Sequence, residues 1–582
     1  MKSVRLFFLI LLISVASYAQ NPTYQVNAQK VNQLLKFINE AYLDTVNFDV
    51  LAEKGVIEML KELDPHSAYI SKKDVQQANE PLIGSFDGIG VTFNIIKDTI
   101  NIMEVIVNGP SEKVGLKIGD KIIKVDTTIA YGKHVNNKWV ADHLRGPKGT
   151  KVNVFIKRGR NPELLEFAIT RDKIPMHSIN VAFMVDNHTG YICLERFAQT
   201  SPQELRDAMT RLKARGMKNL IFDLRGNGGG YLQAAFEIAN EFIGNDKMIV
   251  YTDNFRKTGE QFKSTNKGEF QKGKLVVLVD EYSASASEIV SGALQDWDRA
   301  IVMGRRTYGK GLVQKPIYLA DGSQVRLTIS KYYTPSGRCI QRPYEDGLDK
   351  YLNDINERRT HGELLTADSI KFPDSLKYKT AKGRTVYGGG GIMPDIFIPL
   401  DTTRYSTLYN EMIRKGIISG FILNYMETNK DGLKEKYATM EDFKNNFEVS
   451  EQLFQDLMDY AHKEGIKDTV PFQLSKRLEF FAKNKATELD SLFNSLDSFN
   501  GNPQFQEMLT KNITESFNES MRLRNFSKVD FFIKDDLKYE IARNLFSYGD
   551  ARQIFLISDD GFKKALEVIN NDKTFKRFNV DN

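Results

Sequence analysis

The sequence predicts a multidomain α/β protein with a βαβ core, an inserted β-rich domain, N-terminal helices and a mainly α-helical C-terminal region. Its 582 residues, 41% of them hydrophobic, are enough for several domains with separate cores. Between Val181 and Leu400, aliphatic runs alternate with amphipathic stretches, which is typical of βαβ units and a largely parallel sheet. Residues 84–174 instead contain short β-type runs separated by Gly, Pro, Asn and Asp turns.

The first residues, "MKSVRLFFLILLISVASYAQ", predict a secretory signal peptide over residues 1–19. Lys2 and Arg5 precede the apolar stretch Leu6–Val15, and small residues lead up to a cleavage site after Ala19. An uncleaved membrane anchor is the alternative, but a bilayer span needs about 20 apolar residues. We therefore expect an exported protein in a bacterial periplasm, either free or peripheral to the membrane, with no requirement for membrane association.

Composition excludes several classes of function. The net charge of +5, from 80 Lys and Arg against 75 Asp and Glu, makes no case for a nucleic-acid partner. The two cysteines, Cys193 and Cys339, exclude a disulfide framework and a cysteine-rich zinc site. Cys193, in "GYICLERF", is expected to be a small buried hydrophobic residue. We expect neither a metal nor a cofactor.

The chain divides into successive regions after the signal peptide. Residues 20–82 have helical periodicity, as in "VNQLLKFINEAYL", and residues 83–174 form the β-rich domain. The core spans 175–401, with strands predicted in "KNLIFDL", "KLVVLVD" and "RAIVMG", and a polar insertion interrupts it at about 344–384. Residues 402–582 form long, charged helical segments without a catalytic motif, whose apolar stripes are expected to be core.

Three alternating serines lie at a predicted strand-to-helix turn. The stretch "EYSASASEIV" follows the aliphatic run Leu275–Val279 and precedes an amphipathic helix. Ser285 and Glu288 match a Ser-x-x-Glu capping box, which predicts that Ser285 lies at the helix N-cap. Unpaired N–H groups at such a helix start can hold an oxyanion as well as a cap, so the pattern fits either a nucleophile or a capping residue.

A serine nucleophile needs a base, and the histidines are absent where one is required. None lies between His188 and His361, which excludes a Ser-His-Asp site built wholly within this block, while a histidine from elsewhere in the fold stays an alternative. Lys310, in "RRTYGKGLVQ", is the candidate replacement. Burial can lower a lysine pKa from about 10.4 toward neutrality. The flanking glycines let the backbone bend and approach another segment closely.

A glycine run follows the strand predicted in "NLIFDLRGNGGGYL". Gly226–Gly230 can expose N–H groups to an oxyanion or a phosphate, or can simply form a tight turn. A dinucleotide fingerprint fails because Tyr231 stands where Gly is required, and a P-loop fails because Gly311 stands where Ser or Thr is required. A nucleotide-dependent enzyme is therefore disfavoured.

Five separated motifs resemble the C-terminal processing peptidases, the S41 family of serine proteases. They are "DLRGNGGG", "SASASEIVSGALQD", "TYGKGLVQ", "YYTPSGRCIQ" and "GGGGIMPDIFIP", with "LDPHSAYIS" upstream, and they cover about residues 30–400. The resemblance implies that Ser285 is the nucleophile and Lys310, 25 residues later, the base, with Gln314 orienting the lysine. Cys339 stands where a small polar residue is expected, which leaves its role open.

The resemblance also implies an oxyanion hole. Its donors are expected to be the backbone N–H of Ala286 and that of a residue in the glycine run, Gly228 or Gly229.

The β-rich domain resembles a PDZ module. Gly88, Ile89, Gly90 and Val91 match its carboxylate-binding loop, and "GPSEKVGLKIGDKIIKVD" supports the match. The resemblance implies that a substrate's terminal carboxylate binds this loop while the peptide adds as a strand to the sheet edge. Protein or peptide substrates with accessible, apolar C-termini are the expected partners.

The expected function is that of an exported serine endopeptidase with a Ser-Lys dyad, which recognises C-terminal ends through its PDZ domain and cleaves or degrades the chain. The alternative is a non-catalytic periplasmic PDZ scaffold that binds C-termini. The N- and C-terminal helices are candidates for homo-oligomer or adaptor contacts. No role is implied for the insertion 344–384 or for residues 402–582.

Overall fold

The computed structural model describes residues 22–159, 161–370, 372–402, 407–466 and 529–580. The predicted signal peptide lies outside these ranges. Within them, no helix has both the length and the apolar character that a membrane crossing needs. The described residues form two compact units: a smaller one of residues up to 75 with 314–328, and a larger one of residues 76–313 with those from 329 onward.

The helices are α1 (Pro22–Ala41), α2 (Phe48–Lys61), α3 (Val75–Ile83), α4 (Pro110–Val114), α5 (Asn137–Leu144), α6 (Ser201–Ala214), α7 (Leu232–Asn240), α8 (Ala286–Asp296), α9 (Leu348–Thr360), α10 (Thr407–Arg414), α11 (Ile417–Lys436), α12 (Met440–Asn446), α13 (Glu451–Lys463), α14 (529–545), α15 (Tyr548–Ser558), α16 (Asp560–Ile569) and α17 (Asp572–Arg577). The strands are β1 (Ala68–Ile70), β2 (Ser85–Gly88), β3 (Val91–Ile96), β4 (Thr99–Val105), β5 (Lys121–Val125), β6 (Thr128–Ile129), β7 (Lys151–Lys157), β8 (Leu165–Thr170), β9 (Asp172–Pro175), β10 (Val181–Met184), β11 (Thr189–Cys193), β12 (Asn219–Asp223), β13 (Met248–Asp253), β14 (Gln261–Lys263), β15 (Leu275–Val279), β16 (Ile301–Gly304), β17 (Leu312–Tyr318), β18 (Gln324–Tyr333), β19 (Lys377–Lys379), β20 (Thr385–Tyr387) and β21 (Ile396–Phe397).

The smaller unit is organised around the turn in "LDPHS". Strand β1 pairs antiparallel with the first residues of β18. The Asp64 carboxylate accepts hydrogen bonds from the N–H groups of His66 (2.8 Å) and Ser67 (2.9 Å) and from the Thr328 hydroxyl (2.9 Å). Burial opposes ionisation of Asp64, but these bonds and one from the Ser67 hydroxyl hold its pKa below the ordinary value. One carboxylate therefore joins the turn to the neighbouring strand.

The β-rich domain of the larger unit has a sheet in the order β3-β4-β5-β7-β8, with β6 on β5, and a separate pair β2-β9. Strand β7 shows the alternation expected of a half-buried strand: Val152, Val154 and Ile156 are buried, while the residues at either end are exposed. Strand β3 pairs only with β4 in this sheet and so lies at its edge. An edge strand next to the predicted carboxylate loop suits the addition of a peptide strand.

The core of the larger unit is a six-stranded sheet in the order β10-β11-β12-β15-β16-β21. All neighbours from β11 onward are parallel, and β10 is antiparallel to β11. Every residue of β15 is buried because helices cover both faces of the sheet. Residues Val277 and Val279 pack with α6, α7 and α8 on one face. These parallel strands and their covering helices confirm the predicted multidomain α/β class.

The opposite face of the sheet is covered from the far end of the chain. Val276 and Leu278 pack there with Phe562, Val568 and Phe575 of α16 and α17. Helices α10–α14 share a different core with the start of α15. The last three helices therefore form a layer of the central α/β structure, a role that the sequence did not indicate for residues 402–582.

Candidate active site

The turn that carries the three serines lies where β15 ends and α8 begins, near the middle of the central sheet. The Asp280 carboxylate accepts hydrogen bonds from the N–H groups of Tyr282 (3.0 Å) and Ser283 (3.1 Å) and from that of Gly226 (3.0 Å). Ser285 is the N-cap residue of α8, as the capping-box spacing predicts, and it has φ 55° and ψ −110°. A non-glycine residue there costs about 1–3 kcal/mol, so surrounding contacts must hold it in place.

The structure separates Ser285 from the serines on either side of it. Ser283 and Ser287 are fully buried, whereas Ser285 is partly exposed. The Ser283 hydroxyl donates to the carbonyl of Leu224 (2.8 Å), and the Ser287 hydroxyl donates to that of Asn227 (2.8 Å). The flanking serines therefore attach the turn to the glycine loop, and Ser285 is the one of the three that faces solvent.

The glycine loop, Gly226–Gly230, packs directly against this turn. Gly229 has φ +100°, and a Cβ built on it would lie 2.9 Å from Ser285 Cβ and 3.0 Å from the Ala286 nitrogen. Only glycine fits at that position. A Cβ on Gly228 would instead meet open space. The Gly229 N–H donates to the Asn227 side chain (2.9 Å), whereas the N–H groups of Gly228 and Ala286 donate to no acceptor within the described residues.

Lys310 lies in the loop between β16 and β17, and the Glu288 side chain ties that loop to the serine turn. Its Oε2 accepts from the N–H of Ser285 (2.8 Å) and from the N–H of Lys310 (2.9 Å). Its Oε1 accepts from the N–H of Gly309 (2.6 Å) and from the Thr307 hydroxyl (2.6 Å). Burial raises the pKa of Glu288 to about 7, although these four hydrogen bonds favour the carboxylate.

Tyr332 makes a second connection between Ser285 and Lys310. Its hydroxyl lies 3.1 Å from the carbonyl oxygen of Ser285 and 2.7 Å from that of Lys310, and it donates to both. The side chain is 1% exposed, and burial raises its pKa well above the ordinary value, so the hydroxyl keeps its proton. The backbones of Ser285 and Lys310 are thus joined through their N–H groups by Glu288 and through their carbonyls by Tyr332.

The C-terminal helices reach the beginning of the glycine loop. Arg225 donates to the Asp223 carboxylate (2.6 Å) and also, through both oxygens, to Asp559 at the N-cap of α16 (2.9 and 3.0 Å). The Tyr191 hydroxyl donates to the same Asp223 oxygen, at 2.7 Å. Burial opposes ionisation of Asp223, but Arg225 holds its pKa below the ordinary value.

Gln314 belongs to the smaller unit, where its side-chain amide donates to the carbonyl of His66. Its orientation of Lys310 stays a prediction. Cys193 and Cys339 are free thiols. Burial raises the pKa of Cys193 to about 12, and it also raises the pKa of Cys339, whose carbonyl accepts from Gly389 (2.7 Å).

The predicted carboxylate loop connects β2 to β3. Ile89 is buried in the core of the β-rich domain, and its carbonyl accepts from the Ser111 hydroxyl at 2.6 Å. Gly90 has φ +75°, and a Cβ there would lie 3.1 Å from Ile174 and 3.3 Å from Pro110. Gly88 is buried and Val91 is half-buried. The loop is thus held from inside by contacts that leave no room for larger residues at position 90.

Two residues of the site were not predicted from the sequence as parts of it. Glu288 was assigned only to the helix cap, because a capping box is a pattern of neighbouring residues. The contacts of Glu288 with the Lys310 loop join residues that are distant in the sequence, so no local pattern indicates them. Tyr332 had no signal beyond its place in "YYTPSGRCIQ". Within the described residues, no cluster of three or more His, Cys, Asp or Glu could hold a metal ion.

Three segments of the chain match models of protein families. Residues 188–349 match the model of peptidase family S41, residues 88–169 match that of the PDZ domain, and residues 408–479 match a family of unknown function (DUF8443).

A "Probable CtpA-like serine protease" of Staphylococcus aureus (strain MRSA252) is 34% identical over 323 residues, which are 55% of this chain and 64% of that protein. The chain therefore spans slightly less than two thirds of this relative. A protein of the same name from Staphylococcus epidermidis (strain ATCC 12228 / FDA PCI 1200) is 32% identical over 371 residues, which are 62% of this chain and 74% of the relative. The solved structure of a photosystem II D1 C-terminal processing protease is 24% identical and covers 63% of this chain and 87% of its own, with a TM-score of 0.33. By its family-model match and by its similarity to the CtpA-like proteins, the chain belongs to peptidase family S41, the C-terminal processing peptidases.

Proposed function

We propose that this protein is an exported serine endopeptidase in which Ser285 is the nucleophile and Lys310 the general base. The observation that carries the proposal is the double connection between these residues by Glu288 and Tyr332. These bonds fix the relative position of the Ser285 and Lys310 backbones, which are 25 residues apart in the sequence. Of the three alternating serines, Ser285 is the one that is partly exposed. A scaffold that only bound peptides would not require this arrangement.

The proposed reaction is acyl transfer in two steps. The Ser285 hydroxyl oxygen attacks the scissile carbonyl carbon while neutral Lys310 takes its proton. The tetrahedral intermediate collapses, the C–N bond breaks, and Lys310 returns the proton to the leaving amine. Water, deprotonated by the same lysine, then attacks the carbonyl carbon of the acyl-enzyme ester. The C–O bond to Ser285 breaks, Lys310 returns the proton to the Ser285 oxygen, and the second product is released. Gln314 is proposed to orient the lysine.

We assign the oxyanion hole to the N–H groups of Ala286 and Gly228. Ala286 is the first residue of α8, where N–H groups lack helical partners and carry partial positive charge. Between the two candidate glycines, Gly228 is favoured because the Gly229 N–H already donates to Asn227 and because Gly228 faces open space. Donors that point to a developing charge are typically worth about 3–4 kcal/mol each.

Replacement of Gly229 by Ala is expected to lower kcat by about 100-fold or more. The added methyl group would lie within 3.0 Å of Ser285 Cβ and the Ala286 nitrogen, so the turn has to move, and a shift of about 1 Å in a catalytic group can cost this much. Gly226→Ala is the matched control, because Gly226 has φ +70° but open space around it. We expect it to lower the melting temperature with kcat within about 5-fold. Equal kcat values for the two variants would show that the close packing of Gly229 against Ser285 and Ala286 does not affect catalysis.

The PDZ domain is proposed to select substrates by their C-termini. A free carboxylate would bind at Gly88–Val91, and the preceding residues would pair with the edge strand β3. Apolar C-terminal side chains are the expected preference. Export to the periplasm rests on residues 1–19, and no membrane contact is required.

A peptide with a free, apolar C-terminus is expected to be cleaved with a KM at least about 10-fold lower than that of its C-terminal amide, because the amide removes the charge and an acceptor oxygen. Steady-state kinetics on the matched peptides measures this difference. Gly90→Ala should reduce it, since the strained loop cannot keep its conformation. Gly119 also has a positive φ (+89°), but with open space around it, so Gly119→Ala should retain the difference in KM. An equal KM for acid and amide would refute C-terminal recognition, and binding without turnover would favour the scaffold.

A further inference from the structure

We propose that the polar insertion positions Lys310, and that Arg358 is the residue through which it acts. The inference rests on the proposed function, in which Lys310 is the base. Arg358 belongs to helix α9, and the match to the S41 family model ends at residue 349, near the start of that helix. The family comparison therefore assigns nothing to Arg358.

The Arg358 guanidinium binds the backbone of the Lys310 loop directly. Its Nη2 donates to the carbonyl of Arg306 (2.5 Å) and its Nη1 to that of Thr307 (3.1 Å). Its Nε donates to the Glu363 carboxylate (2.7 Å), which fixes the orientation of the planar group. Arg358 is 4% exposed, so these bonds form where water cannot replace them.

Glu363 completes a buried network with the same loop. Both of its oxygens accept from the Arg306 side chain at 2.7 Å, and Arg306 also donates to the carbonyl of Gly390 (2.7 Å). Burial opposes ionisation of Glu363, but the two guanidinium groups hold its pKa below the ordinary value. Removal of one member of a buried charged network is strongly destabilising because its partner is left uncompensated.

A second contact reaches the residue before Lys310. Arg342 lies between the rings of Tyr308 and Tyr351, 4.0 Å from each centroid, and its backbone N–H donates to the carbonyl of Gly309 (3.1 Å). Tyr351 belongs to α9, so the same helix supports the loop at two places.

The loop needs this support because its own sequence does not make it rigid. Lys310 stands between two glycines, which permit many backbone conformations. Thr307, held by Arg358 on its carbonyl, donates through its hydroxyl to Glu288, which also binds the N–H of Lys310. Arg358 thus acts on the lysine through Thr307 and Glu288, as a positioning residue without contact to substrate.

The test compares full-length wild type with Arg358→Gln and Arg358→Lys, and uses Arg359→Gln as the matched control. Arg359 is the exposed neighbour on the same helix. We expect Arg358→Gln to lower kcat for a cleavable peptide by about 10- to 100-fold, a loss typical of misplaced catalytic groups, with KM and the Kd of a non-cleaved C-terminal peptide within about 2-fold. The lysine variant keeps the charge and is expected to retain an intermediate kcat. Arg359→Gln should match wild type.

The outcomes separate this inference from the proposed function. If wild type cleaves the peptide and folded Arg358→Gln has the same kcat and pH profile, the positioning role is refuted. If KM and kcat change in equal proportion in both Arg358 variants, the residue has a general structural role and the inference is again refuted. If Arg358→Gln does not fold, the kcat, KM and pH profile of Arg358→Lys are judged by the same criteria. If wild type itself cleaves no peptide, it is the proposed function that fails.

Discussion

Ser285→Ala is expected to lower kcat/KM for peptide cleavage by at least about 1,000-fold, to a rate close to background. The hydroxyl is the only group at this position that can form the acyl-enzyme, and alanine leaves the backbone contacts with Glu288 and Tyr332 in place. Lys310→Ala should cause a loss of similar size, because the serine without its base is a weak nucleophile. The double variant should be no slower than either single one, since the two residues act as a unit.

The control for this prediction is Ser291→Ala, in α8 one turn after Ser287. Its hydroxyl donates to the carbonyl of Ser287 at 2.7 Å, so the variant is expected to lose about 1 kcal/mol of stability and to keep kcat within about 3-fold. Peptide binding, measured by fluorescence anisotropy, should be unchanged in Ser285→Ala. A Ser285→Ala protein that still cleaves would rule out the assigned nucleophile. A metal chelator should leave wild-type cleavage unchanged, because the proposed mechanism moves every proton through side chains.

Glu288→Gln is expected to lower kcat by about 100-fold while the protein stays folded. The carboxylate accepts from four donors, and a glutamine side chain turns an NH2 group toward two of them. Each buried donor left without an acceptor costs about 1–3 kcal/mol, and the relative position of Ser285 and Lys310 is lost with them. Glu260→Gln, an exposed residue of the β13–β14 connection, is the control and should match wild type.

The same carboxyl group predicts an acid limb in the pH dependence of kcat. Because the pKa of Glu288 is raised to about 7, it gains a proton as the pH falls through neutrality and can then no longer accept from all four donors. We expect kcat to fall below about pH 7 in wild type, and the part of this fall that comes from Glu288 to be absent from Glu288→Gln, where protonation of the base Lys310 is the remaining cause. An acid limb that persists unchanged in the variant would assign the titration to another group.

Stability should respond to pH in the opposite direction. The carboxyl of Glu288 is harder to ionise in the folded protein than in the unfolded chain, where its pKa is about 4.5. Between pH 4.5 and 7 the folded protein therefore binds more protons, so this group's contribution to the free energy of unfolding decreases as the pH rises. At 1.36 kcal/mol per pKa unit the decrease is on the order of 3 kcal/mol. Denaturant titrations at pH 5 and pH 8 give the change in the free energy of unfolding for wild type and for Glu288→Gln. The difference between these two changes measures the contribution of Glu288.

The candidate site was predicted from the sequence to the extent that local patterns describe it. The capping-box spacing located Ser285 at the start of α8, and the glycine run was correctly assigned to the end of a strand. The choice between Gly228 and Gly229 could not be made, because it depends on the Asn227 side chain and on the distance to Ser285. The insertion was recognised as polar, but its buried arginine, Arg358, could not be distinguished from a solvated one.

What the sequence determined by itself was the α/β class, the strand-to-helix turn that carries Ser285 and the resemblance to family S41. These follow from hydrophobic periodicity, capping residues and short motifs, each of which is contained within about ten neighbouring residues. Only the tertiary structure decided that Ser285 is the exposed serine, that Glu288 and Tyr332 join it to Lys310, and that the last three helices cover the sheet. Glu288 and Lys310 are 22 residues apart, and Arg225 and Asp559 are 334 apart. No local pattern encodes such contacts, because burial and hydrogen bonding across these separations exist only after the chain has packed.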